Sequence, residues 1–282
     1  SQFGCLIEIF KNKKNLSNFF KNCLIITENA SNPLRKIAMD NNCMILDHDP
    51  LIGGRYSVFS NVGIVPATIS GMDVRNIYKG VQDFLIDVKN KKFNDHLKIS
   101  RLLSTAKYRN KLSSNVLITY SDSLYYFGKW FLQLWAESIG KNNKGIVPIH
   151  SVGVTDQHSQ LQLYLDGPKD KFFTFITTDH TNKGLKINSD IMSSEKINYL
   201  YNKRMGDLMQ AEQQATMDTF KKNNFKFREI FIPKINEFYL GSLMATSIIE
   251  TVFSCIYFEV DAFDQPAVEY GKKLAIKYLN EN

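Results

Sequence analysis

The chain has 282 residues, of which 44% are hydrophobic and 12% aromatic. That is enough apolar material for one large domain or two modest ones, and it excludes a disordered polypeptide. The net charge of +7 comes from lysines scattered among asparagines, as in Lys11-Asn12-Lys13-Lys14-Asn15 and Lys141-Asn142-Asn143-Lys144, without a basic stripe interleaved with aromatics. No nucleic-acid partner is therefore expected, while the positive field would attract small anions.

The apolar run around Ile248–Phe258 is broken by Glu250, Ser254 and Glu259, so no membrane span and no membrane partner is expected. No basic-then-apolar leader opens the chain, and Ser1 stands first without a methionine, as in a cut-out of a longer chain. Cys5, Cys23, Cys43 and Cys255 lie far apart in apolar runs with no C-x-x-C pair. They read as buried free thiols of a reducing, cytoplasmic compartment.

In chain order, 23–27 and 43–46 are short apolar runs of strand length, separated by a predicted helix over 32–41. This alternation predicts parallel strands with crossover helices. Gly53-Gly54 and Gly63 punctuate a loop entering a helix, and the Lys-rich stretch 77–112 reads as surface helices, a connector more than a core. A second α/β pattern then opens. Strands are predicted at 115–120, 146–152, 172–177 and 227–232, and helices at 124–139, 156–165, 201–223, 237–258 and 267–279. The expected architecture is α/β, a doubly wound parallel sheet in three α/β/α layers. The division is 1–76 for the end of a first domain, 77–113 for a helical connector, 114–262 for a complete second domain, and 263–282 for a C-terminal helix.

Four stretches carry residues with chemical potential. Gly53-Gly54-Arg55-Tyr56-Ser57 presents an arginine from a turn whose glycines allow close backbone approach or positive φ. A tight turn with a surface arginine is the plainer reading. Gln133 and Glu137, four apart, share a helix face with Trp130 and Phe127, where desolvation would suit the carboxylate to general-base work. A solvated glutamate near a helix end is the alternative. In Thr155-Asp156-Gln157-His158, Thr or Asp reads as an N-cap and His158 sits in the first turn, where the positive helix end favours a neutral imidazole. A capping or packing histidine is the plainer reading of this stretch alone. The other four histidines, His48, His96, His150 and His180, lack a comparable setting. In Asp264-Gln265-Pro266, Asp264 caps and Pro266 starts a helix with Gln265 and Lys272 on one face. Gly271 inside that helix, at a cost of about 1 kcal/mol relative to Ala, predicts a close neighbour beside Lys272. A solvated lysine is the plainer reading there.

Taken together in order, these stretches resemble one family. G-G-R-Y-S-V-F-S-N-V-G (53–63), Q-L-W-A-E-S-I-G-K (133–141), T-D-Q-H-S-Q-L-Q-L-Y-L-D-G-P (155–168) and F-D-Q-P-A-V-E-Y-G-K-K-L (263–274) are similar to the signatures of the phosphoglucose isomerases, in a bacterial form. The resemblance runs over nearly the whole chain. It implies a pair of sugar-isomerase (SIS) domains and interconversion of glucose 6-phosphate and fructose 6-phosphate through a cis-enediol, without metal or cofactor. By the same resemblance, Glu137 is the base moving a proton between carbons 1 and 2. Arg55 stabilises the enediolate, and His158 and Lys272 assist ring opening. Gln133 and Gln265, with Ser1 and Gly54, hold substrate. The histidine comes from the neighbouring subunit, implying a homodimer with a shared site.

Two departures stand out. Family members carry a phosphate loop of the form S-K-S-G-x-T-x-E-T, but this chain opens Ser1-Gln2-Phe3-Gly4-Cys5-Leu6-Ile7-Glu8-Ile9. Ser1, Gly4 and Glu8 fall on the pattern; the Lys, second Ser and Thr positions do not. Ala267 replaces a frequent glycine. The chain is thus expected to be the C-terminal part of such an enzyme, with the proton-transfer residues present and phosphate binding weakened. By itself it is expected to be weakly active or inactive. A non-catalytic SIS-type sugar-phosphate-binding protein is the alternative reading.

Overall fold

The structure is a computed structural model describing residues 2–13, 15–90, 94–108, 112–187 and 196–281. These residues fall into two compact units, Ser1–Val74 and Arg75–Asn282.

In the first unit, helices α1 (Gln2–Asn12) and α2 (Leu16–Lys21) precede strand β1 (Leu24–Glu28), helix α3 (Pro33–Asp40) and strand β2 (Met44–His48). The two strands pair in parallel, Leu24 opposite Met44. The connection is helical because Asn32 caps α3 by accepting from the Arg35 amide, and Pro33 sits in the first turn, where its missing N–H has no cost. Phe20, Ile25, Ala38 and Cys43 form its core. A 3-10 turn over Gly54–Phe59 then leads into α4 (Asn61–Ile69), capped by Ser60.

The second unit contains α5 (Val74–Lys89), α6 (Asn94–Tyr108), β3 (Ser114–Thr119), α7 (Tyr125–Ile139), β4 (Val147–Val152), α8 (Thr155–Asp166), β5 (Lys171–Thr177), α9 (Met205–Lys222), β6 (Phe227–Phe231), α10 (Glu237–Phe258) and α11 (Glu269–Glu281). The sheet is parallel throughout, in the order β4-β3-β5-β6. Ser114 lies opposite both Val147 and Lys171, which fixes the register.

Strand alternation distributes the core to two faces. Val116, Ile118 and Tyr120 of the β3 segment, with Phe173 and Phe175, pack under Tyr164 of α8 and Met217 and Phe220 of α9. Leu117, Phe172 and Ile176 face Phe127, Phe131 and Trp135 of α7 and Leu243, Cys255 and Phe258 of α10. The three layers are those of a doubly wound α/β/α domain.

Several sequence expectations are corrected by packing. The 77–112 stretch is not all surface. Leu103 of α6 is part of the α7/α10 core, and the Ser100 and Ser104 hydroxyls donate to the carbonyls of Glu250 and Tyr257 on α10. Lys79, Lys89 and Lys98 lie on the exposed sides of α5 and α6, whose other sides are buried. The cysteines are all free, but only Cys43 and Cys255 are buried; Cys23 is half-buried and Cys5 exposed on α1. Helix α10 is long and apolar enough to cross a membrane by length and composition. In the fold, half of that stretch is buried, and it carries Glu250, whose carboxylate accepts both guanidinium nitrogens of Arg228 at 2.6 and 2.7 Å.

Candidate active site

Helix α7 carries Gln133 and Glu137 one turn apart, and the Gln133 amide donates to Oε1 of Glu137 at 3.0 Å. Below that face the helix is locked: Leu134, Trp135, Ser138 and Ile139 are buried, and the Trp135 indole N–H donates to the Ile146 carbonyl at 3.1 Å. Glu137 itself is half-buried and Gln133 exposed, so the carboxylate is at the edge of solvent rather than desolvated. The apolar partners expected for it turn inward with the core.

Glu137 opens into a cavity of about 820 Å³ walled by the loop after α7, including Gly140–Lys144, and by Gln265, Pro266, Ala267 and Val268. The loop reverses tightly because Asn142 and Asn143 take left-handed φ of 53° and 58° and Gly145 a φ of 96°. Asparagine and glycine tolerate that region, which is why this short sequence ends α7 so sharply. Gly140 itself keeps a negative φ; the C-terminal carbonyl of Ser138 is satisfied by the Lys141 ammonium at 2.8 Å.

The structure therefore brings Glu137, Gln133 and Gln265 together. His158 and Lys272 are not among the residues that line this cavity. Arg55 and Gly54 belong to the first unit, where Arg55 is buried with its guanidinium 5.1 Å from the Tyr56 ring. A Cβ on Gly54 would meet nothing within 4 Å, and neither Gly53 nor Gly54 takes positive φ, so the turn is open rather than strained. Ser1 lies outside the described residues; Gly4 and Glu8, the other positions matched to the expected phosphate loop, are part of helix α1.

His158 stands exposed in the first turn of α8. The helix cap is not Thr155 or Asp156, which are already helical; the Asp156 carboxylate accepts instead from the Val152 amide at 2.6 Å. His158 borders a second, apolar cavity of about 470 Å³ with Val154, Leu161, Met205, Leu208 and Met209. It is at the opposite end of the sheet from Glu137. Helix α8 starts where β4 ends, whereas α7 finishes where β4 begins, and six strand residues span about 20 Å.

Lys272 lies in the first turn of α11 and pairs with Glu269 at 2.7 Å, an i,i+3 surface pair. Gln265 is outside that helix, because Pro266 begins a separate 3-10 turn and α11 starts only at Glu269. Asp264 does not cap it; its carboxylate pairs with Lys141 at 3.0 Å. Nothing approaches Gly271 within 4 Å, so the close neighbour expected there is not supplied by this chain's described residues.

The other histidines have structural bonds. His150 Nε2 lies 2.9 Å from the Thr119 hydroxyl, and His180 Nε2 lies 2.8 Å from the Tyr120 carbonyl. Burial pushes both imidazoles below the ordinary histidine range. Among the described residues no three His, Cys, Asp or Glu side chains converge as a metal site. Reading from sequence missed Lys141 and the Asn142-Asn143 turn as walls of the cavity. The Asn-Asn-Lys-Gly run was the available signal for the turn.

A profile of the phosphoglucose isomerase family matches residues 6–282. The chain belongs to the phosphoglucose isomerase family. Its relatives include a probable glucose-6-phosphate isomerase of Methanococcus maripaludis, 34% identical over 90% of this chain and 57% of that protein. The glucose-6-phosphate isomerase of Methanocaldococcus jannaschii is 32% identical over 98% of this chain and 68% of that protein. Among solved structures, a hypothetical protein of Thermus thermophilus superposes with a TM-score of 0.85 at 28% identity, covering 97% of this chain and 68% of that one. A glucose-6-phosphate isomerase from Chlamydia trachomatis shares the fold, with a TM-score of 0.76 at 20% identity, over 98% of this chain and 56% of that one. This family member thus spans between 57% and 68% of the length of the two relatives.

Proposed function

We propose that the protein carrying this chain interconverts glucose 6-phosphate and fructose 6-phosphate, an aldose–ketose isomerisation through a cis-enediol. The observation that carries this reading is the placement of Glu137, held by Gln133, at the wall of a cavity shared with Gln265. A half-buried carboxylate on a rigid helix, facing room for a hexose, has the position a general base needs. In this reading Glu137 moves the proton between carbons 1 and 2, and Arg55 stabilises the enediolate charge. Lys272 and His158 pass the proton between the 1-hydroxyl and the ring oxygen during ring opening. Gln133, Gln265, Gly54 and Ser1 hold the sugar phosphate.

The separation of His158 from Glu137 across the sheet supports a homodimer in which each site takes its histidine from the other copy. The division into the end of one SIS domain (1–76), a connector (77–113), a second SIS domain (114–262) and a C-terminal helix (263–282) belongs to the same proposal, as does a cytoplasmic location. The chemistry assigned to these residues uses no metal or cofactor.

The test couples glucose 6-phosphate formed from fructose 6-phosphate to a dehydrogenase. Turnover is expected from the protein that carries this chain, and weaker turnover from residues 1–282 by themselves, since the loop over 1–9 lacks most of the family's hydroxyls. Sugar-phosphate binding without turnover in the carrying protein would favour a non-catalytic SIS-type binding role instead.

A further inference from the structure

The cavity beside Glu137 has two walls far apart in sequence: the loop after α7 and the stretch from Gln265 to Val268. The Lys141 side chain links the end of α7 to the segment that leads into the second wall. The Lys141 ammonium donates to the Ser138 carbonyl at the end of α7 at 2.8 Å, to the Asp261 carbonyl, and to the Asp264 carboxylate at 3.0 Å. Those three acceptors match the three donors of an ammonium group. The Lys141 side chain is only 8% exposed, so these bonds are made largely out of water. The neighbouring pair Lys144–Glu259, 2.9 Å apart, ties the same loop to the end of α10 but is more exposed, and exposed pairs contribute little.

We propose that Lys141 is a positioning residue for the isomerisation: it clamps the 261–265 segment to the end of α7 and so fixes Gln265 relative to Glu137. This rests on the isomerase reading above. Lys141 does not act on the reacting carbons. Its effect passes through geometry, because Gln265 directly follows Asp264, which Lys141 holds, whereas Glu137 stands on a packed helix. Displacing a substrate-holding group by about 1 Å can cost up to about a hundredfold in rate.

The test uses the protein that carries this chain with Lys141→Met, Asp264→Ala and both together. It measures kcat, KM and amide hydrogen exchange over 261–268. Lys141→Met is expected to lower kcat about 10- to 100-fold with KM within about threefold, and to speed exchange over 261–268. The double variant is expected to be no worse than Lys141→Met alone, because both changes break one contact. Unchanged exchange, unchanged kcat, or a raised KM with kcat intact would each overturn the clamp. Should Lys141→Met fail to fold, Asp264→Ala, at a half-exposed carboxylate, decides by the same readouts. Exchange is read without turnover. Faster exchange in a protein whose wild type shows no isomerisation sinks the isomerase reading and keeps the clamp. Turnover with unaltered exchange sinks the clamp alone.

Discussion

The side-chain amide of Gln133 donates to the carboxylate of Glu137 from one turn back along α7, at 3.0 Å. The bond engages Oε1 of a carboxylate that lines the cavity. Glu137→Gln keeps size and shape but removes the proposed base. It is expected to lower kcat for fructose 6-phosphate by about 10²- to 10⁴-fold, the usual contribution of a positioned base. Gln133→Ala, which removes the bond to Glu137 and the proposed substrate contact, is expected to lose about tenfold. Proton exchange at carbon 2 surviving at near wild-type rate in Glu137→Gln would remove Glu137 from the mechanism.

Glu137 and His158 lie at opposite ends of one sheet, so two copies are needed to complete a site in the proposed reading. Glu137→Gln and His158→Ala are each expected to be nearly inactive. Mixed at equal concentration and allowed to exchange subunits, they should recover about a quarter of wild-type activity, since half the dimers are hybrids and each hybrid has one intact site. Recovery absent after demonstrated exchange would show that the histidine does not come from the partner copy.

Glu250 on α10 is buried between Arg228 on β6 and His96 on α6. Burial alone would raise its carboxyl, but the Arg228 guanidinium prevails and holds it down to about 2, against an ordinary 4.5. A depressed carboxyl contributes stability above its unfolded value and loses it as pH falls through the folded one. Stability is therefore expected to fall between about pH 4.5 and pH 2. Glu250→Gln leaves Arg228 without its counter-charge and should cost about 3 kcal/mol at neutral pH. Urea midpoints of the two proteins should converge toward pH 2; a gap independent of pH across that range would contradict the assignment.

Gly80 on α5 and Gly241 on α10 let two helices cross at backbone contact. A Cβ at Gly80 would lie 1.8 Å from the Phe238 carbonyl oxygen, and one at Gly241 2.1 Å from that of Ile77. Neither obstacle is a side chain that could swing away. Gly80→Ala is expected to lose about 1–3 kcal/mol or more, despite the higher helix propensity of alanine. An unchanged thermal midpoint would mean that the two helices part without cost.

The order of strands and helices was legible in the sequence because periodicity reports burial locally. The alternation Val116, Leu117, Ile118 sends neighbours to opposite faces, and the span 237–258 reads as one helix from its own pattern. The motifs around Arg55, Glu137, His158 and Lys272 were legible as well, since each is a contiguous run.

The joints between runs were not legible, because they are made by atoms distant along the chain. Asp264 reads locally as a cap, yet its carboxylate meets Lys141, 123 positions earlier in sequence. The lysine-rich 77–112 stretch reads as surface, yet Leu103 and Gly80 meet α7 and α10 from the inside. By itself, then, the sequence determined the fold class and the residue types able to move a proton. Only the tertiary structure decided that Glu137 and Gln265 share a cavity and that His158 lies at the other end of the sheet. Hydrophobic periodicity is a property of one segment, whereas a site is a convergence of several, settled only when their packed faces fix where each end lies.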